Sequence, residues 1–417
     1  MRIAILVNRF PSVSQTFVLN QITGLLDRGH EVEIFPADSV ADETTHPDVV
    51  KYGLLSRTYY PAAVGKGRWS RMWRTLGPLF RSGWRKPLAV GRCCRTRYRA
   101  TLTHRTALVG RAVTMLNRPS HDVIHCHFGP SGLVGNVLRE AGVLRGRLVT
   151  TFYGYDVARL PIHRQGVYDG LFASGDCFLA LSETMRKEII ELGCCAEKAG
   201  VHHLGVDCSA FSFLPRRPDD DGTIRLLSIA RFVEKKGLHY AIEAVSKLVR
   251  LHRNVRYVII GDGELRPALE RQIAEAGVAE HVQLVGWQDQ SQVTAWLARS
   301  HVLVAPSVTA SDGDQEGTPT VILEALATGL PVVSTMHSGI PEMVCDGESG
   351  FLVAERDANA LSERLSYLVE HPEHWMKMGR AGRAAVEREY DIEKLNDKLV
   401  DKYRDLVKQV AEGGVFS

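Results

Sequence analysis

Short runs of β-branched and aliphatic residues alternate with longer amphipathic stretches along the whole sequence, and this alternation restricts the fold more than any other feature. The runs fall at 2–8, 31–37, 123–128, 148–153 and 177–182, then at 224–230, 256–262, 282–287, 302–307 and 331–335. Ala4 to Val7 and Val302 to Ala305 lack any polar alternate, as expected of strands covered on both faces. Between the runs, apolar residues recur at three and four; Leu238, Ala241, Ile242, Val245, Leu248 and Val249 form the clearest set. Strand, helix and strand in repetition predict an α/β class with parallel sheets. At 417 residues the chain is long enough for two such units.

Segment 211–222 (FSFLPRRPDDDG) joins the two sets of runs with two prolines, a charge cluster and a glycine. The expected division is a first domain at 1–210, a linker at 211–222 and a second domain at 223–373. A charged helical segment at 374–417 is expected to pack back toward the first domain.

Hydrophobic residues at 45% and charged residues at 24% exclude a collagen, a coiled coil and a disordered chain. No apolar run approaches the roughly 20 residues of a membrane span. Eight cysteines, among them the adjacent pairs Cys93-Cys94 and Cys194-Cys195, never take the Cys-x-x-Cys spacing. Both features fit a cytoplasmic protein with reduced thiols, and no zinc ribbon or disulfide scaffold is expected. The net charge of +3 hides a block at 49–121 that holds sixteen Lys and Arg and no acid. Within it Trp69, Met72, Trp73, Leu76, Leu79 and Phe80 recur at helical spacing beside Arg68, Arg71, Arg74 and Arg81. One reading is a core-facing helix with solvated arginines. The other is peripheral contact of residues 66–111 with an anionic membrane. Nucleic acid is not an expected partner, because the remaining motifs point to a cleft.

The most informative segment is 312–331, DGDQEGTPTVILEALATGLP. Thr318 suits a helix N-cap, Pro319 the first helical position, and Gly329 with Pro331 a helix stop. Such a helix start aims free N–H groups and a positive dipole end at whatever lies before it. Glu316 precedes the start and Glu324 follows eight residues later. On helix physics alone the first could be a dipole complement and the second a solvated side chain. Arg231 and Lys236 follow the run at 224–230, on the side of an open α/β sheet where ligands bind. Gly261-Asp262-Gly263 opens like a dinucleotide fingerprint, but Arg266 occupies the third glycine position. Asp312-Gly313-Asp314 reads as a turn, and His125 with His127 lacks the further ligands of a zinc site, so no metal is expected. Ser12-Val13-Ser14-Gln15 reads as a capping box that opens the first helix.

In order and spacing, EGTPTVILEALATGLPVV resembles the signature of glycosyltransferase family 4. The resemblance extends through NRFPSVSQTF, DVIHCHFG, TFYGYDV, LGVD, RFVEKKG, IIGDGEL and SGIPEMVCDGESGFLV, nearly the whole chain, and is nearest to transferases of the exopolysaccharide and colanic-acid type. It implies the GT-B architecture, two Rossmann-like domains with parallel sheets facing a central cleft, the first binding acceptor and the second a nucleotide-sugar donor. It also implies a retaining, metal-independent transfer of a hexosyl unit from a nucleotide diphosphate sugar, taken as a UDP-sugar, with no cofactor. The acceptor would be a lipid-linked compound or a saccharide, in cell-surface polysaccharide or glycolipid assembly.

By the same resemblance Glu316 contacts the donor sugar hydroxyls and Glu324 the ribose, roles that suit acceptor-only carboxylates. Gly317, Thr318, Pro319, Thr320 and Val321 would lie against the sugar and distal phosphate, with Gly261 and Trp287 completing the donor pocket. Arg231 and Lys236 would hold the diphosphate, and His127 would lie near the donor sugar. Ser14 and Gln15 would form an acceptor or phosphate loop, Gln15 replacing a family glutamate, while Tyr153 stands where many relatives carry histidine. Alternatives are transfer to a soluble small molecule, a silent binding protein of the same fold, and a nicotinamide-dependent oxidoreductase. The last is disfavoured by the Arg231, Lys236 and Glu316 set.

Overall fold

The computed structural model of the chain describes residues 1–12, 15–38, 46–61, 102–116, 118–158 and 166–413, with side chains from 108 and up to 409 in the helices that begin and end these stretches. Six parallel strands form the first sheet: β1 (Arg2–Arg9), β2 (Glu31–Asp38), β3 (Val123–His127), β4 (Arg147–Thr151), β5 (Cys177–Ala180) and β6 (Ala199–Val201). Six more form the second: β7 (Ile224–Ile229), β8 (Val255–Ile260), β9 (Val282–Gly286), β10 (Val302–Ala305), β11 (Val332–Thr335) and β12 (Gly350–Val353). Their orders are β2-β1-β3-β4-β5-β6 and β12-β11-β10-β7-β8-β9. Ile3 to Val7 are all buried because β1 lies inside its sheet with helices on both faces.

These orders determine where a ligand can sit. In the first sheet the chain runs outward from β1 to β2 and returns to β3 on the other side of β1. In the second it runs from β7 to β9 and returns to β10 on the other side of β7. Each reversal opens a crevice at the carboxyl ends of the flanking strands.

Helices among the described residues include α1 (Thr16–Asp27), α2 (Gly129–Glu140), α3 (Leu238–Leu251), α4 (Gln290–Arg299), α5 (Thr320–Thr328), α6 (Trp375–Glu389) and α7 (Ile392–Gly413). The apolar set foreseen from Leu238 to Val249 is the buried face of α3. The expected capping box at the first helix is not formed: α1 starts at Thr16, and its N-cap Gln15 makes no side-chain cap. Ser14 and the basic amphipathic segment at 68–85 lie outside the described residues. At the end of the basic block, helix Leu102–Met115 turns Val109 and Ala112 into the core of the first unit. No helix among the described residues is long and apolar enough to cross a membrane.

The segment after 374 divides in two. α6 stays on the second unit, where Trp375 is fully buried and Gly379 packs so closely on α5 that an added Cβ would come 2.4 Å from the Gly329 carbonyl oxygen. Only α7 crosses to the first unit. There Arg28 pairs with Glu393 and Asp397 at 3.0 and 2.7 Å, and Leu399, Val400 and Tyr403 enter the core. The crossing is made beside Val206, whose N–H donates to Tyr390 O at 2.9 Å and whose carbonyl accepts from Ile392 N at 3.1 Å. Residues 211–216 already pack on the second unit: Phe211 is buried there, and the Arg216 guanidinium donates to the carbonyls of Ser300 (3.0 Å) and Thr328 (2.9 Å).

Candidate active site

Residues from both sides of the β7/β10 reversal meet at the start of α5. The loop after β7 carries Arg231 and Lys236, and the loop after β10 carries Glu316 to Pro319. Lys236 forms an ion pair with Glu316, with side chains 16% and 13% exposed. Beside it Lys235 Nζ lies 3.2 Å from Asp314 and donates to Gln315 O at 3.1 Å, which ties the two loops together a second time. Burial opposes ionisation of Glu316, but Lys236 and Lys235 outweigh it and hold the carboxyl below its usual range. Arg231 is exposed and has no side-chain partner among the described residues.

α5 begins at Thr320, with Pro319 extended as its N-cap, and ends at Gly329 in the left-handed region at φ 85°. Thr318 is therefore not the cap; its buried hydroxyl has no partner among the described residues and is free to meet a ligand. Ile322 N–H donates to Pro319 O at 3.0 Å, while the N–H groups of Thr320 and Val321 at the helix start face the end where Glu316 and Lys236 lie. Pro319 and Val321 line one small cavity with Ala230 and Lys236, so the loop after β7 and the start of α5 converge. Glu324 is half-buried on α5, and desolvation pushes its carboxyl up to about 7. Gly261 adopts φ 131°, where a Cβ would lie 1.9 Å from the Ala230 carbonyl oxygen, so any side chain there displaces the loop that carries Arg231. Trp287, just past β9, is 70% exposed.

The first unit touches this site directly. A Cβ added to Gly154 would come 3.2 Å from both Gln315 O and Gly317 N. Glu342 accepts from Glu183 N at 2.9 Å and Thr184 N at 3.1 Å, so a carboxylate of the second unit caps helix Glu183–Glu191 of the first. His127 ends β3 and is 2% exposed. Its Nδ1 lies 2.8 Å from the Tyr153 hydroxyl, and burial with nearby His202 lowers it to about 3, so the ring is neutral at physiological pH. Its Nε2 has no partner among the described residues and faces a cavity shared with Gln21, Leu181 and Asn396. His127 thus lies beneath the returning helix α7, with Leu181 between it and the Gly317 loop. Gln15 lines a separate small cavity beside Arg9 and His46.

Three contributions escaped the sequence reading. Glu316 N–H donates to His337 Nε2 at 3.0 Å, which leaves the proton on Nδ1 to donate to Glu355 at 2.6 Å. This relay fixes the backbone of Glu316. On the first unit, buried Asp156 accepts from Gly129 N at 2.9 Å and Tyr153 N at 3.1 Å, and desolvation raises it to about 7. Phe128, between His127 and Gly129, is held at φ 74°, a strained value for a bulky residue. Asp312-Gly313-Asp314 is a turn, as read: Asp314 N–H donates to Asp312 Oδ1 at 2.9 Å and Gly313 has φ 80°.

Two doubly wound parallel sheets, facing each other across a cleft with cations and carboxylates at one switch point, define the GT-B class of glycosyltransferases. Residues 14–210 match the family described as Glycosyltransferase Family 4, and residues 214–385 match Glycosyl transferases group 1. The putative colanic acid biosynthesis glycosyltransferase WcaL of Salmonella typhimurium is 36% identical over 412 residues, covering 96% of this chain and 98% of its own. The amylovoran biosynthesis glycosyltransferase AmsK of Erwinia amylovora is 36% identical over 404 residues, covering 94% and 96%. Among solved structures, Anabaena HepE in complex with UDP and glucose superposes with TM-score 0.68 at 17% identity, covering 97% of this chain and all of its own. Sucrose-phosphate synthase from Thermosynechococcus elongatus gives 0.69 at 20%, covering 98% and 100%. The chain belongs to glycosyltransferase family 4, of the group 1 type, and is a glycosyltransferase.

Proposed function

We propose that this chain moves a hexosyl unit, with retention and without a metal ion, from a UDP-sugar to a saccharide or lipid-linked acceptor during exopolysaccharide assembly. The observation that carries the reading is the Lys236–Glu316 pair at the start of α5, with Arg231 on the same loop as Lys236 and without a side-chain partner among the described residues. Two cations and a helix start stabilise charge growing on a departing diphosphate. As the bond from the sugar's anomeric carbon to the diphosphate breaks, the acceptor oxygen bonds that carbon from the same face, and its proton passes to the departing phosphate oxygen. Glu316 and Glu324 would accept hydroxyls of the sugar and the ribose. The polymer setting is supported by the relatives named for colanic acid and amylovoran, and UDP by the ligand in HepE.

Screening by thermal shift against UDP- and GDP-sugars tests the donor. A UDP-sugar at 100 times its dissociation constant should stabilise the protein by about 2.7 kcal/mol, and GDP-sugars should not. EDTA should leave the transfer rate unchanged. Preferential stabilisation by a GDP-sugar, or loss of activity in EDTA, contradicts the respective part of the proposal.

Glu324 gives a pH test. If the ribose requires its ionised form, a carboxyl at about 7 makes UDP-sugar binding weaken roughly tenfold between pH 8 and pH 6. The diphosphate diester of the donor does not titrate in this window, so calorimetry reads the protein group. Glu324→Gln should flatten the profile, and a wild-type profile already flat would remove Glu324 from nucleotide binding.

A further inference from the structure

The carboxyl ends of the second sheet carry the transfer site, and its amino ends carry a different cleft. β7, β8 and β9 all begin there, and the six-residue length of β7 and β8 places that edge about 20 Å from the loops holding Arg231 and Lys236. The cleft encloses about 760 Å³ and is lined by Arg225, Arg256, Gln283, Glu280, Trp296 and Arg299, among others. That volume lies within the roughly 300–1,000 Å³ usual for small-molecule sites.

Its arginines come from separate elements and are held mostly by groups other than carboxylates. Arg299, at the end of α4, lies flat on the Trp296 ring with its guanidinium carbon 3.1 Å from the centroid, and it forms no ion pair among the described residues. Arg256, in β8, spends Nη1 on the carbonyls of Arg253 and Val255, both at 2.9 Å. Its Nε and Nη2 have no acceptor among the described residues. Arg225 pairs with Asp219 and lies close enough to Arg299 that burial and this like charge together lower the Arg299 pKa. Glu280 on the rim is the one carboxylate in the lining.

Guanidiniums fixed in orientation by a ring face and by backbone carbonyls keep N–H edges ready for bidentate pairing with an oxyanion. Their mutual repulsion is relieved when such an anion enters. We propose that this cleft binds an oxyanion-bearing ligand about the size of a short oligosaccharide or a nucleotide, at a site separate from sugar transfer. Gln283, exposed on β9, would accept and donate to its hydroxyls.

Calorimetry at low salt tests the site with three probes: a hyaluronan tetrasaccharide, uridine monophosphate and neutral maltotetraose. Wild type is compared with Arg256→Gln/Arg299→Gln and, independently, with Gln283→Glu, which brings a like charge to the ligand. At least one anionic probe should bind wild type and lose tenfold or more in affinity in both variants, while maltotetraose binds none of the proteins. The saccharide and nucleotide arms tell which carrier is taken. Turnover of the UDP-sugar should be unchanged in the variants, which also shows that they fold. Absence of anion binding by wild type at about 1 mM probe, or equal binding by wild type and both variants, overturns the proposal.

Discussion

Lys236→Ala should lower turnover by about 10²-fold or more, because it removes a preorganised cation from the place where charge develops on the departing diphosphate. The substitution acts twice. Glu316 is held ionised against its burial by Lys236 first and Lys235 second, so loss of Lys236 leaves a poorly compensated buried carboxylate. That carboxyl then takes up a proton more readily and loses its value as a pure acceptor for sugar hydroxyls. Arg231→Ala separates the effects, since Arg231 is exposed and carries no protein partner among the described residues. It should cut turnover by a similar factor with no change in thermal stability. Because Lys236 and Glu316 touch, the double alanine variant should lose less than the product of the single losses. Steady-state rates and melting curves for wild type, Lys236→Ala, Arg231→Ala, Glu316→Ala and the double variant decide the matter. Full activity in either cation variant would remove that side chain from the reaction.

Trp375→Ala should destabilise the second unit by about 3–5 kcal/mol, the usual cost of truncating a buried aromatic. Trp375 opens α6, is fully buried, stacks on His301 with centroids 5.3 Å apart, and donates its ring N–H to Leu368 O at 2.9 Å. Alanine would leave a cavity and an unsatisfied carbonyl, and would loosen the helix that anchors the crossing to the first unit. Trp375→Phe, which keeps most of the apolar contact and loses only the N–H, should cost much less. Urea unfolding followed by circular dichroism measures both. A loss below about 1 kcal/mol for the alanine variant would contradict the burial of the ring.

What the sequence by itself determined are the elements whose signal is local. Parallel strands buried on both faces have to be apolar throughout, so Ile3–Val7 and Val302–Ala305 were legible without partners. Gly329 was legible as a helix stop because few other residues adopt φ 85° without strain. The family signature placed Arg231, Lys236, Glu316 and Glu324 in one ordered set, although no local period relates the first two to the last two. Where local signals were short or ambiguous, the reading slipped. β6 and β12 are sheet-edge strands of three and four residues, defined by pairing rather than composition. The N-cap of α5 moved from Thr318 to Pro319, because a Thr-Pro pair suits adjacent registers and tertiary packing selects between them. The reversal at β7 and β10 set Lys236 against Glu316, and packing of the chain's end set Tyr403 against His125 across 278 residues. Pairing of β11 with β12 brought His337 and Glu355 together in the Glu355–His337–Glu316 relay. Sequence periods of two and 3.6 encode which face of an element is buried. They carry no term for which loop a strand's end will meet, and sheet order alone decides that.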